Sequence, residues 1–117
     1  MRKIYYLSTC DTCQRIFKEL QPLEDVLLQD IKTEPVTATH LEKMKQMAGS
    51  YEALFSKRAR LYRDKGVHEK QLSETDYKNL ILEHYTFLKR PVILADDQIF
   101  MGNSKKVVAA AKEAFHP

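Results

Sequence analysis

Cysteine is scarce in this chain, with two among 117 residues, and both fall in a single Cys10-Asp-Thr-Cys13. A secreted domain stapled by disulfides uses more cysteines at wider spacing, so that class is disfavoured. Long apolar runs are also missing. No stretch approaches the about 18 consecutive apolar residues that a membrane-spanning helix requires. The apolar part of MRKIYYLSTC is too short for a signal-peptide core despite its positive start. A cytoplasmic protein without a membrane partner is therefore expected. Charge of one sign is lacking as well: the net charge is +3, with both signs interleaved. That balance suits a solvated mixed surface, and direct nucleic-acid binding is not expected from it. No internal repeat or low-complexity segment is present.

What remains is ordinary for a globular protein, with 44% apolar and 30% charged residues. The length allows one core but not two, so residues 1–117 are expected to form a single domain, with a monomer as the plain expectation.

Lys3 to Leu7 is a β-favouring run that leads straight into Ser8-Thr9-Cys10. From Asp11 to Leu20 the residues Cys13, Ile16, Phe17 and Leu20 recur at helical spacing. Ser8, Thr9 or Asp11 is the expected cap, and Pro22 closes the segment. A strand over Val26 to Ile31 completes a β-α-β unit, whose parallel strands need a crossover helix. After Pro35, Thr39-x-x-Glu42 reads as a capping box opening a helix to Met47. A shorter helix over Tyr51 to Phe55 follows Gly49-Ser50. The basic run Lys57 to Lys65 reads as helical and ends at Gly66. Ser73 to Asp76 starts another helix, with Tyr77, Leu80, Ile81 and His84 on one face. Arg90 to Leu94, a turn at Asp96-Asp97 and Gln98 to Met101 form a hairpin, and a last helix covers Lys105 to Phe115. This order predicts an α/β, thioredoxin-like fold: a four-stranded mixed sheet with flanking helices from about 1–33 and 88–117, and an all-helical insertion over about 36–86.

A Cys-x-x-Cys at a strand-to-helix junction sets its first sulfur beside unpaired backbone N–H groups and the positive end of a helix dipole. Both favour the thiolate, which is the nucleophile. The second cysteine lies one turn on, within reach of an adduct on the first. Cys10 is thus the candidate attacking thiol and Cys13 the candidate resolving thiol. The competing readings are a half zinc site and two inert core thiols. Structural zinc takes four ligands, and His40, His68, His84 and His116 form no second pair at finger-like spacing. These histidines read as surface, cap or tail residues, and neither a metal nor an organic cofactor is expected.

Tyr5-x-x-Ser-Thr-Cys10-Asp-Thr-Cys13, Lys57-Arg58, and Leu88-Lys-Arg90-Pro91-Val-Ile-Leu followed by Gly102 together carry a more specific signal. Over nearly its whole length the chain resembles the arsenate reductase/Spx family, the glutaredoxin-linked branch of thioredoxin-like proteins. The resemblance implies that Cys10 is the nucleophile. It also implies that Arg58 and Arg90 bind an oxyanion and stabilise the thiolate, and that Pro91 is a cis-proline facing the active-site cysteine. A guanidinium suits this task because its planar fork pairs with oxyanions and stays charged.

The chain departs from the arsenate-using reductases at three places. It has Gly102-Asn103 where they carry a third arginine before the last helix, Tyr6 where they have a histidine, and Cys13 where serine is usual. The cysteine pair and the glycine look like Spx, a redox-sensing regulator that binds RNA polymerase. Two expectations follow from the resemblance. One is a thiol-dependent reductase, recycled by glutathione and glutaredoxin or by thioredoxin. The other is a redox switch with RNA polymerase as partner. A binding module with inert thiols is the remaining alternative, so whether the chain is an enzyme stays open at this point.

Overall fold

The computed structural model describes residues 2–64, 66 and 70–117. The chain divides into two compact units, one from residues 1–34 and 90–117, the other Pro35–Lys89.

In the first unit, strand β1 (Arg2–Tyr6) leads to helix α1 (Asp11–Leu20) and strand β2 (Leu27–Asp30). β1 and β2 run parallel, Ile4 opposite Leu28. The other strands come from the far end of the unit's sequence. β3 (Val92–Ala95) pairs antiparallel with β1, β4 (Gln98–Met101) pairs antiparallel with β3, and the sheet order is β2-β1-β3-β4. Strand β3 is buried at every position, as expected for a central strand whose faces are both covered. Helix α5 (Lys105–Phe115, the fifth helix in chain order) packs beside α1. Ile16 and Leu20 of α1 and Val108, Ala111 and Phe115 of α5 are buried with Ile4 and Ile93 in one apolar cluster. That cluster anchors α1 along its length and so fixes its N-terminus, where the cysteines sit.

The second unit is helical. It contains α2 (Ala38–Ala48), a 3-10 turn at Glu52–Leu54, α3 (Arg60–Asp64), α4 (Glu74–Glu83) and a second 3-10 turn at Tyr85–Phe87. Phe55 is the hub of its core. Its ring stacks on Phe87 with centroids 5.3 Å apart, tilts against Tyr77 at 4.9 Å and meets Tyr62 edge-on at 5.6 Å. A bridge between Phe55 and Leu88 ties the two ends of the unit, with Ser56 N–H donating to the Phe87 carbonyl and Lys89 N–H to that of Leu54.

Several local details differ from the sequence-based expectation. The capping box of α2 is Thr37 with His40, not Thr39 with Glu42. Thr37 Oγ1 accepts from the His40 N–H and His40 Nδ1 accepts from the Thr37 N–H. An imidazole nitrogen can fill the place usually held by a Glu or Gln oxygen. The basic run is helical only from Arg60 to Asp64, with Lys57 and Arg58 in the preceding turn; Lys65 and His68 lie outside the described residues. Tyr51 to Phe55 contracts to a single 3-10 turn. His84 leaves the α4 face and terminates that helix, and its Nδ1 accepts the Thr86 N–H.

Candidate active site

Strand β1 ends at Tyr6, and four residues later Cys10 opens α1 as its N-cap, with extended φ and ψ of −96° and 113°. None of the expected caps, Ser8, Thr9 or Asp11, supplies a side-chain hydrogen bond to the helix. The N-cap residue is Cys10 itself. Asp11 alone adds negative charge in the first turn.

The loop carrying Cys10 is held on three sides. Cys10 N–H donates to the Leu7 carbonyl at 3.0 Å, closing a tight turn. Asp30, at the end of β2, accepts the Ser8 N–H at 3.2 Å and the Lys32 N–H at 3.1 Å through Oδ1. The Ser8 hydroxyl and these amides hold the Asp30 carboxyl below its ordinary range. From the helix side, Gln14 Nε2 donates to the Ser8 carbonyl at 3.4 Å. Asp30 and Gln14 had no signature in the sequence, because an Asp at a strand end and a Gln on a helix are both commonplace.

The two thiols have unlike environments. Cys10 is half-buried and Cys13 is buried. Burial by itself would raise the Cys10 thiol. Against it act the Cys13 N–H, the Cys13 thiol donating to the Cys10 sulfur, the Thr12 N–H and the charge of Arg90, and the net result is a lowered pKa. The mechanism is hydrogen bonding to the charged form, reinforced by a cation. For Cys13, burial dominates and the neighbouring Cys10 adds to it. The Leu7 N–H and Arg90 oppose them only in part, and the thiol is pushed up to about 11. Of the two, Cys10 is therefore the sulfur that ionises first, while Cys13 keeps its proton and donates it toward Cys10.

Cys10, Cys13 and Arg90 thus fall together, with Pro91 adjoining Arg90. The Arg90–Pro91 peptide is cis. The Pro91 carbonyl accepts the Gly102 N–H at 3.0 Å, and Gly102 has φ +92°, a left-handed conformation that favours glycine. A second cis bond, Gln21–Pro22, ends the segment after α1. Arg58 is exposed in the turn before α3, within the helical unit. Three histidines have structural partners: His40 and His84 cap helical turns, and His116 Nε2 lies 2.8 Å from the Leu20 carbonyl. Among the described residues no group of three or more His, Cys, Asp or Glu side chains is placed to hold a metal ion, and no helix is long and apolar enough to cross a membrane.

The influence of Arg90 is testable. Arg90→Gln removes a charge that favours the thiolate, so the pH at which Cys10 becomes half-alkylated by iodoacetamide should rise. A shift of a few tenths to about one unit is the scale for one partly screened cation. An unchanged profile would exclude Arg90 as a thiolate partner.

The fold and the dithiol define a class: a thioredoxin-like domain with a Cys-x-x-Cys at the start of its first helix. Comparison with known proteins narrows it. The ArsC family model matches residues 5–111, and the chain belongs to that family. Among curated relatives, the global transcriptional regulator Spx 2 of Bacillus cereus is 22% identical over 108 residues, covering 90% of this chain and 82% of its own length. The Spx 2 of Bacillus anthracis is 24% identical over 102 residues, covering 85% and 77%. Among solved structures, a possible arsenate reductase from Streptococcus mutans superposes with a TM-score of 0.72 at 28% identity, over 90% of this chain and 92% of that one. An arsenate reductase from Vibrio cholerae matches in fold, with a TM-score of 0.78 at 18% identity, over 94% and 96%.

Proposed function

We propose that the chain is a redox-active dithiol protein of the ArsC family, acting by thiol–disulfide exchange at Cys10 and Cys13. The observation that carries this reading is the asymmetry of the pair, a lowered thiol at the helix N-cap and a buried, proton-retaining thiol donating to it. The Cys10 thiolate attacks one sulfur of a substrate disulfide, such as a glutathione adduct. A Cys10–substrate disulfide forms and the other substrate sulfur leaves as a thiolate. Once Cys10 is no longer anionic, one source of the raised Cys13 pKa is gone. Cys13 then gives its proton to solvent and attacks the Cys10 sulfur, closing the Cys10–Cys13 disulfide and releasing the second substrate thiolate. Two electrons pass to the substrate, and glutathione with glutaredoxin, or thioredoxin, restores the dithiol. Arg90 would hold an anionic group of the substrate.

The two Spx 2 relatives, and Gly102-Asn103 in the region of the reductases' third arginine, support a second use of the same chemistry. In that use the Cys10–Cys13 disulfide changes affinity for RNA polymerase.

Titration through glutathione redox buffers, with alkylation of free thiols and mass analysis, tests both uses. One cooperative two-thiol transition between about −200 and −300 mV is expected, the range of cytosolic thiol couples. Persistence of both thiols across the series would refute the proposal. The oxidised and reduced samples, offered to RNA polymerase, separate switch from reductase.

A further inference from the structure

Edge strands leave a row of backbone N–H and C=O groups unpaired. Most natural sheets blunt them with lysine, proline, bulges or covering segments. Strand β2 is an edge of this sheet, and its first two residues are consecutive leucines, Leu27 59% exposed and Leu28 50% exposed. Leu82, less exposed at 39%, is the one other exposed large apolar residue among those described. Because strand side chains alternate, Leu27 and Leu28 lie on opposite faces of the sheet, so helix packing on one face would not cover both. A strand added along the edge would.

The backbone limits how such a strand can pair. Ile31 N–H donates to the Tyr6 carbonyl, so by alternation the backbone groups of Leu27 and Gln29 are also turned toward β1. Those of Val26, Leu28 and Asp30 face outward. Charge then selects among the symmetric antiparallel pairings that remain. With Leu27 on the two-fold axis, Glu24 of one copy falls beside Asp30 of the other, carboxylate against carboxylate. With Leu28 on the axis, the turn carrying Glu24 falls beside the turn carrying Lys32, Val26 meets Asp30, and Leu27 meets Gln29. Backbone polarity permits both registers, and side-chain charge favours the second.

We propose that β2 is a self-association surface. Two copies of the chain join antiparallel about Leu28 to extend the four-stranded sheet into one of eight strands. Leu28 exchanges both of its backbone hydrogen bonds with its counterpart. Asp30 N–H donates to the Val26 carbonyl, while the Asp30 carbonyl remains engaged with the Glu34 N–H, 2.8 Å away. The interface is isologous, so each Glu24–Lys32 contact occurs twice. This inference is independent of the thiol chemistry.

Sedimentation equilibrium of the full chain, from micromolar to millimolar concentration at low salt, tests it. The mass average is expected to climb toward twice the monomer, with Leu28 and Asp30 amides exchanging more slowly at high concentration. Leu28→Lys sets two like charges on the axis and should abolish dimerisation. Far-UV circular dichroism should remain unchanged, because the native side chain is half in solvent. Glu24→Lys and Lys32→Glu should each weaken the dimer by about tenfold, from two lost attractions per interface, and the double variant should restore it. A Glu24→Lys variant that associates more tightly would mean Leu27 on the axis and would overturn the proposed register. A wild type that stays monomeric throughout overturns the proposal and leaves the edge to a strand of another protein.

Discussion

Replacing Cys10 with serine is expected to lower both iodoacetamide labelling at neutral pH and disulfide-exchange activity by about a thousandfold or more. The size follows from the two microenvironments. Cys10→Ser removes the Cys10 contribution to the raised Cys13 thiol but leaves its larger cause, burial, so the thiolate, which is the reacting species, stays a minor form at pH 7. Cys13 is also 1% exposed, so reagent does not reach it. A serine hydroxyl is a far weaker acid than a thiol and does not substitute as nucleophile. Cys13→Ser should behave differently: labelling of Cys10 persists, while exchange stops after one turnover with the substrate disulfide-linked to Cys10. The pH dependence has a definite sign. Cys10 reactivity rises with pH and reaches its plateau below the range of an ordinary cysteine, since its folded-state pKa is lowered. Equal labelling of wild type and Cys10→Ser would contradict the assignment of roles.

The second large effect concerns stability. Phe55→Ala is expected to destabilise the helical unit by about 3–5 kcal/mol, the usual cost of removing a buried aromatic side chain and leaving a cavity. Phe55 is 1% exposed and touches rings from α3, α4 and the Tyr85–Phe87 turn, so no single neighbour can collapse into the space. Denaturant unfolding followed by Tyr fluorescence measures it. Leu82→Ala, at a position 39% exposed, is the control and should stay within about 0.5 kcal/mol. A Phe55 variant as stable as that control would show that the ring cluster is not the unit's core.

The parts of this architecture that were legible beforehand are those written in local periodicity. Helix α1 runs over the span that Cys13, Ile16 and Leu20 mark out, and the β3–β4 hairpin closes at Asp96-Asp97. The thioredoxin-like order of elements followed from these. Caps were less legible. The rule for an N-cap looks for a side-chain oxygen, so it passed over Cys10, and the capping-box pattern looks for Glu or Gln, so it passed over His40. The basic run around Arg58 carries charge without an apolar stripe, and its helix is correspondingly short. At the site, Cys10 and Cys13 could be paired from sequence because a helical turn joins them. Arg90 reaches the same place through β3, whose pairing with β1 is non-local, and only a family likeness pointed to it. Asp30, which holds Ser8 from the next strand, left no trace in the sequence for the same reason.

Because Cys10 is the N-cap residue of α1, electron transfer and folding share a common thermodynamic cycle. When Cys10 is ionised, the reduced protein begins this helix with an anion at its positive pole, an arrangement worth about 0.3–1 kcal/mol in typical exposed cases. Oxidation neutralises that anion. Whatever the folded chain gains from the thiolate must then be surrendered when the disulfide closes, and each 1.4 kcal/mol of that preference raises the reduction potential by about 30 mV. Changes far from the sulfurs, along the α1–α5 packing that holds the first turn in place, would in this way retune how strongly the protein attracts electrons.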